Sequence, residues 1–334
     1  MNVVDVAEFA KGGAAQVPQV GQENEVAPGA KPVRFRWADN AVFAGFHTAT
    51  AIMVYLAGVP TWGALGLCLF AYLVGMFAIT AGYHRYFSHR TYRTSRAFQF
   101  VMALLGTLTL QKGVLWWSAH HRKHHKYSDT EKDIHSPFQH GFWWAHMGWI
   151  MSPAYMATDL EQVKDLARFR ELRWLNDHFI LPTIPLCALV LAIGGFQAMV
   201  WGCFVSVILL WHGTFTINSL SHVWGSRTYA TTDTSRNNAL LALITLGEGW
   251  HNNHHFHAAS VRQGFRWWQL DVSYMALCVL EKLGIVWGLK RPTDDVVAGF
   301  VGGKCHMIGA TNAETVEPTG IVAEHAEEPA VAAV

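Results

Sequence analysis

Four apolar runs constrain this chain more than anything else in it. Residues 41–59, 62–83, 179–197 and 199–220 contain no Asp, Glu, Lys or Arg. Each is close to the roughly 20 residues that a helix needs to cross the hydrocarbon core of a bilayer. The first two are joined through "VPT" and the last two meet at "GGFQ". The pattern therefore predicts two helical hairpins, and the sequence around them agrees. All 25 Lys and Arg residues lie before residue 41, between 84 and 178, or after 220. Four spans put these regions on one side, which the positive-inside rule makes cytoplasmic. A fifth run, 97–110, has only 14 residues. It reads as an interfacial helix, because a further crossing would divide the basic residues between the two sides.

The length, pairing and charge asymmetry of these runs argue against the buried core of a large soluble protein. Hydrophobic residues make up 51% of the chain and charged residues only 15%, against about 25% charged in an ordinary soluble protein. A net charge of +1 excludes the strongly basic footprint of a nucleic-acid binder. The five cysteines (Cys68, Cys187, Cys203, Cys278, Cys305) form no C-x-x-C pair, so neither a disulfide framework nor a cysteine zinc site is expected. Residues 1–38 read as a disordered tail without a signal-peptide core, 39–292 as a membrane domain, and 293–334 as a C-terminal tail. The segment "GFRWWQLDVSYMALCVLEKLG", 264–284, is expected to be a cytoplasmic or interfacial helix.

Within this apolar chain the 19 histidines are grouped beside the span ends. His84 and His89 follow the second run in "HRYFSH". His121, His124 and His125 lie in "HRKHH", and Asn218 and His222 in "NSLSH". His251, His254 and His255 lie in "HNNHH". On a helix, positions i and i+4 share a face with i+3 beside them. An H-x-x-H-H stretch thus aims two imidazoles at one point and a third at a point nearby. Two such stretches facing each other can hold two metal ions, and neutral imidazole suits Fe, Zn, Cu and Ni. Isolated histidines such as His47, His178, His306 and His325 read as ordinary polar residues. His120 also lies four before His124, but aligning "HHRKHH" on "WHNNHH" places it opposite Trp250, which cannot ligate a metal. Carboxylates are few near the boxes: Glu248, Asp129, Glu131 and Asp133 are expected behind the ligands, fixing ring tautomers.

The stretches "GYHRYFSHRTY", "HRKHHKYSDTEKDIHSP", "GFWWAHMGW", "NSLSHVWG", "SRNN" and "GEGWHNNHH" resemble the membrane fatty-acyl desaturases, in particular their Δ9 (stearoyl-type) branch, over about residues 40–290. The resemblance implies an all-α integral membrane protein of four transmembrane helices with a cytoplasmic helical cap. It implies two iron ions, O2 as co-substrate, and insertion of a cis double bond into a saturated acyl chain. Helical spacing then suggests one group of His121 and His125 joined by His84, His89 and, from across, His254. The other group is His251 and His255 joined by His222 and, from across, His124, with Asn218 acting through water. Cys68 and Tyr72 on the second span, with Trp117 and Phe215, are candidates for an acyl tunnel.

Departures from the family affect the acyl carrier. Ala119-His120 stands where acyl-CoA members have Arg-Asp, and Pro153 and Ala154 stand where they have basic residues. Glycerolipid and CoA carriers both stay open. No "HPGG" motif or rubredoxin-type cysteine pair is present, so electrons are expected from a separate ferredoxin-like or cytochrome b5-like protein. Arg122, Lys123 and Lys126 offer a basic dock for it. The protein is expected in a membrane, the bacterial inner membrane on this reading, with both termini cytoplasmic. Related histidine boxes also support C–H hydroxylation, so a membrane hydroxylase is the nearest alternative. A metal transporter would place its ligands near the bilayer midplane, whereas here the boxes follow the spans.

Overall fold

The computed structural model describes residues 41–302 and 304–308. The N-terminal tail at 1–38 and residues 309–334 lie outside the described residues. Helix α1 spans Ala41–Ala57, and α2, Trp62–Phe77, starts at the Thr61 cap, whose hydroxyl accepts from the Ala64 amide. The second helix does not stop where the apolar run ends. It continues in π-helical form over Ala78–Ser88, carrying the chain through His84.

The second apolar pair is helical over Thr183–Val223, 41 residues in all. At about 1.5 Å per residue a straight helix of this length would be roughly twice as long as a bilayer core is thick. It breaks at Gly195, whose φ of 74° lies in the left-handed region that an L side chain resists. Helix α5, Thr183–Met199, contains the break, so one arm precedes Gly195 and the other runs on through π-helical Val200–Val205 into α6, Ser206–Asn218. The two turns meet. Gln197 accepts from the Thr61 amide at 2.9 Å and donates to Val59 O at 2.7 Å and Ala57 O at 3.2 Å. Trp62–Ser88 and Thr183–Val223 are long and apolar enough to cross a membrane. Their outer faces are apolar and exposed: Trp62 is 89% exposed and Ile193 80%.

Glycines let α2 and the second pair approach closely. A Cβ on Gly202 would fall 2.7 Å from Leu67 Cδ2, and one on Gly75 would fall 2.6 Å from Leu210 Cδ1. The short fifth run folds as α3, Arg96–Thr107, capped by Ser95. Helix α4, Val114–Tyr127, follows and carries the second histidine box.

The C-terminal region differs from the sequence reading in two ways. Only Val272–Lys282, α8, is helical within 264–284. Residues before it are held as a loop, because the Asp271 carboxylate receives the Gln263 amide at 2.7 Å while capping Tyr274 N at 3.0 Å. Residues 293–302 and 304–308, expected as part of a tail, fold back on 228–230. Tyr229 donates to Val297 O at 2.9 Å, and Ala230 N donates to His306 O at 2.7 Å. In the small core there, Tyr229 packs with Phe265 and Val296.

The close packing behind the first box is testable at Gly106. A Cβ there would lie 2.2 Å from Cε1 of the fully buried Tyr83, whose hydroxyl is tied to Thr107 at 3.0 Å. Overpacking of this kind costs about 1–3 kcal/mol. Gly106→Val should lower the melting temperature in detergent by several degrees, and an unchanged melting curve would contradict the packing described.

Candidate metal centre

Four helical segments deliver the histidines. The π-helical end of α2 brings His84, with His89 at its C-terminus. Bonding from i to i+5 widens the turn, so residues five apart share a side that they would not share at about 3.6 residues per turn. The His84 and His89 ring centres are 4.8 Å apart. Helix α4 presents His121, His124 and His125, and the short helix Leu220–Val223 presents His222. His251, His254 and His255 come from α7, His251–Phe256.

Their donor nitrogens gather in two groups, within each of which all lie within 4.8 Å of one another. One holds His84, His89, His121, His125 and His254, and the other His124, His222, His251 and His255. His254 Nε2 is 3.0 Å from His84 Nε2 and 2.9 Å from His125 Nε2, and His89 and His121 approach at 2.8 Å. A neutral imidazole nitrogen offers one N–H or one lone pair. His254 Nε2 therefore cannot satisfy both neighbours, whereas a cation among converging lone pairs can. The donor set suits a borderline transition metal.

Carboxylates stand behind four of the rings. Glu248 Oε2 is 2.5 Å from His84 Nδ1, and Asp129 Oδ2 is 3.0 Å from His222 Nδ1. Asp133 reaches His124 Nδ1 with both oxygens at 3.1 Å, and Asp233 Oδ2 accepts from His255 Nδ1 at 2.8 Å. Each holds Nδ1–H outward and leaves Nε2 facing in, the arrangement that raises ligand basicity. Burial opposes ionisation of Glu248, but His84 and Arg85 hold its pKa at about 2. Burial first, and then neighbouring imidazoles, push His89, His121, His125, His251 and His254 well below the usual histidine value. These rings are thus neutral, with lone pairs available.

Asp233 was not among the expected acids, and Glu131, which was, makes no contact with the boxes. Nothing in "TTDTS" marks Asp233, because its link to His255 spans 22 residues through tertiary folding. His135 was also missed. It stacks on His124 with ring centres 4.2 Å apart, and its buried Nδ1 makes no hydrogen bond but lies 4.0 Å from Asp133 Oδ1. His120 is buried, bonds to Trp116 O at 2.9 Å and lies apart from both groups.

A mostly apolar cavity of about 360 Å³ adjoins the histidines. His84, His121, His124 and His251 line it, as do Trp117, Phe215 and Asn218. Cys68 and Tyr72 do not line this cavity; Met76, one turn beyond Tyr72, does. Tyr72 instead donates to Ile244 O at 2.6 Å. The expected basic dock is also altered. Arg122 is engaged by Asp165 at 2.8 Å and by the carbonyls of Phe87, Ser88 and Gln162, leaving Lys123 and Lys126.

Comparison with known proteins matches residues 60–272 to the family model described as fatty acid desaturase. The sn-2 palmitoyl-lipid 9-desaturase of Nostoc sp. (strain 36) is 37% identical over 258 residues, 75% of this chain and 89% of the relative. The sn-1 stearoyl-lipid 9-desaturase of Anabaena variabilis is 36% identical over 267 residues, 79% of this chain and 97% of the relative. The acyl-CoA C20 Delta5-desaturase of Anemone leveillei is 34% identical over 268 residues, 78% of this chain and 85% of the relative.

The carboxylate behind His255 can be tested directly. Asp233→Asn should weaken metal binding about 10- to 100-fold, read as earlier metal loss to a chelator while the helical circular dichroism is retained. Unaltered chelator resistance would remove Asp233 from the site.

Proposed function

The chain belongs to the fatty acid desaturase family, and on that premise we propose that it inserts a cis double bond at Δ9 of a saturated acyl chain. The overall change is CH2–CH2 + O2 + 2 e⁻ + 2 H⁺ → CH=CH + 2 H2O. The observation that carries this reading is the pair of imidazole groups beside one apolar cavity. His84, His89, His121, His125 and His254 would hold one iron, and His124, His222, His251 and His255 the other, with Asn218 acting through water. Bound iron supplies, with O2, the oxidising power that removal of an unactivated hydrogen requires.

The remaining work belongs to the chain. Trp117 and Phe215 exclude water and limit the poses of the methylene chain beside the histidines. Met76 closes part of the apolar wall, and Cys68 and Tyr72 act from behind it as packing that sets its depth. Glu248, Asp129, Asp133 and Asp233 accept from Nδ1–H and fix each ring with Nε2 turned inward.

Apolar runs 41–59, 62–83, 179–197 and 199–220 serve as four spans of a multi-pass membrane protein. The hairpin turns tied through Gln197 lie on one side. The histidine-bearing cap and both termini lie on the cytoplasmic side, bounded by a 39–292 desaturase domain. A glycerolipid carrier is favoured over CoA by the relatives that act on acyl-lipids. A separate ferredoxin-like or cytochrome b5-like donor supplies the two electrons, docking near Lys123 and Lys126.

Expression in a host lacking Δ9 activity, with mass spectrometry of each lipid class and of acyl-CoA, tests the reaction. The expected product is a 9,10-alkene without added oxygen; a hydroxylated chain would overturn the desaturase reading in favour of a hydroxylase. For the ligand set, His124→Ala should hold fewer than two irons per chain and lose turnover. Two tightly bound irons with normal turnover would refute the assignment of His124.

A further inference from the structure

Lys112 is the one Lys or Arg lining the cavity among the described residues. It stands in a short connection between α3 and α4 where Leu110 and Lys112 both adopt left-handed backbone, with φ of 55° and 66°. Non-glycine residues are held this way mainly where function requires a particular presentation. The Lys112 side chain runs past the rings of Phe179 and Trp116, with Nζ 5.5 and 5.9 Å from their centres. Its ammonium donates to Met156 Sδ at 3.2 Å, a weak acceptor. No carboxylate lies within ion-pair distance of it among the described residues. Burial alone holds its pKa below the usual lysine value, with no acid acting in the other direction.

The surface beside Lys112 is apolar and open. Met156 is 51% exposed and Ile180 54%, and Leu181 and Ile184 continue the patch along the start of α5. A chain entering here comes from a lipid surface rather than from water, and the lone ammonium sits where the apolar patch meets the cavity. One cation matches the single negative charge of a phosphodiester. The several charges of a CoA carrier find no second Lys or Arg in the lining.

Resting on the desaturase reading above, we propose that Lys112 anchors the phosphate of a phosphoglycerolipid whose saturated chain fills the cavity. Lys112 is thereby a specificity residue for the acyl carrier, and it does not take part in the chemistry.

The test uses the purified full-length chain in a nonionic detergent, with a spin-labelled stearate quenching the cavity tryptophans. Distearoyl phosphatidylglycerol, distearoylglycerol and stearoyl-CoA are the competitors. The wild type should be displaced by the phospholipid at about tenfold lower concentration than by distearoylglycerol, the size of one charge-assisted hydrogen bond at a partly buried site. Lys112→Met should abolish that difference and Lys112→Arg should keep it. Raising the salt concentration should narrow it in the wild type, a readout that needs no variant. Equal displacement by both lipids in the wild type, or an unchanged preference in Lys112→Met, overturns the proposal. A larger Lys112-dependent gain for stearoyl-CoA overturns the lipid as the source of the phosphate. Failure of the desaturase reading shows separately, as absence of any alkene in the Δ9-deficient host while the Lys112-dependent preference persists.

Discussion

The guanidinium of Arg85, fully buried one residue after His84, is where the parts of this structure are joined. It donates to Glu248 at 3.0 and 3.1 Å, to Asp271 at 3.1 Å and to Val261 O at 2.8 Å. A buried cation is tolerated only when its partners are fixed and its donors are used. Here each partner has a further duty. Glu248 holds His84 and accepts from Gln263 at 2.8 Å. Asp271 caps α8 and binds the Gln263 amide. One side chain thereby locks the end of α2 to the segment bearing the last histidine box, and sets the distance between boxes that are more than 160 residues apart.

That fixed distance gives the cavity its chemical meaning. His84 and His124 face inward at its wall because Glu248 and Asp133 hold their outer nitrogens, while Trp117 and Phe215 keep the space apolar. An unactivated methylene offers no handle for hydrogen bonding. On the proposed function its position is fixed only by where the rest of its chain fits, so the shape of the cavity selects the carbon presented to the histidines. The glycines of α2 and its neighbours let these helices approach one another closely, Gly75 against Leu210 and Gly202 against Leu67.

Much of this was legible in the residues. Apolar runs marked the helices, and "GGFQ" marked the break that Gly195 makes. The i, i+4 spacing within H-x-x-H-H assigned His121 with His125 and His251 with His255, with His124 and His254 pointing across, and the donor groups gather in that division. Local geometry explains that grouping, because a helix brings residues four apart together whatever surrounds it.

What the sequence by itself determined is whatever depends on a few neighbouring residues: the apolar helices, the box spacing and the turn positions. Only the tertiary structure decided which acids stand behind the rings. It selected Asp233 and passed over Glu131, because a contact made across 22 residues leaves no periodic trace. It also turned 264–271 into a loop, since Asp271 and Gln263 bond to partners brought in from elsewhere, and it placed Met76 rather than Cys68 or Tyr72 on the cavity wall. Burial and long-range pairing outweigh local preference wherever a polar group must find its partner away from water.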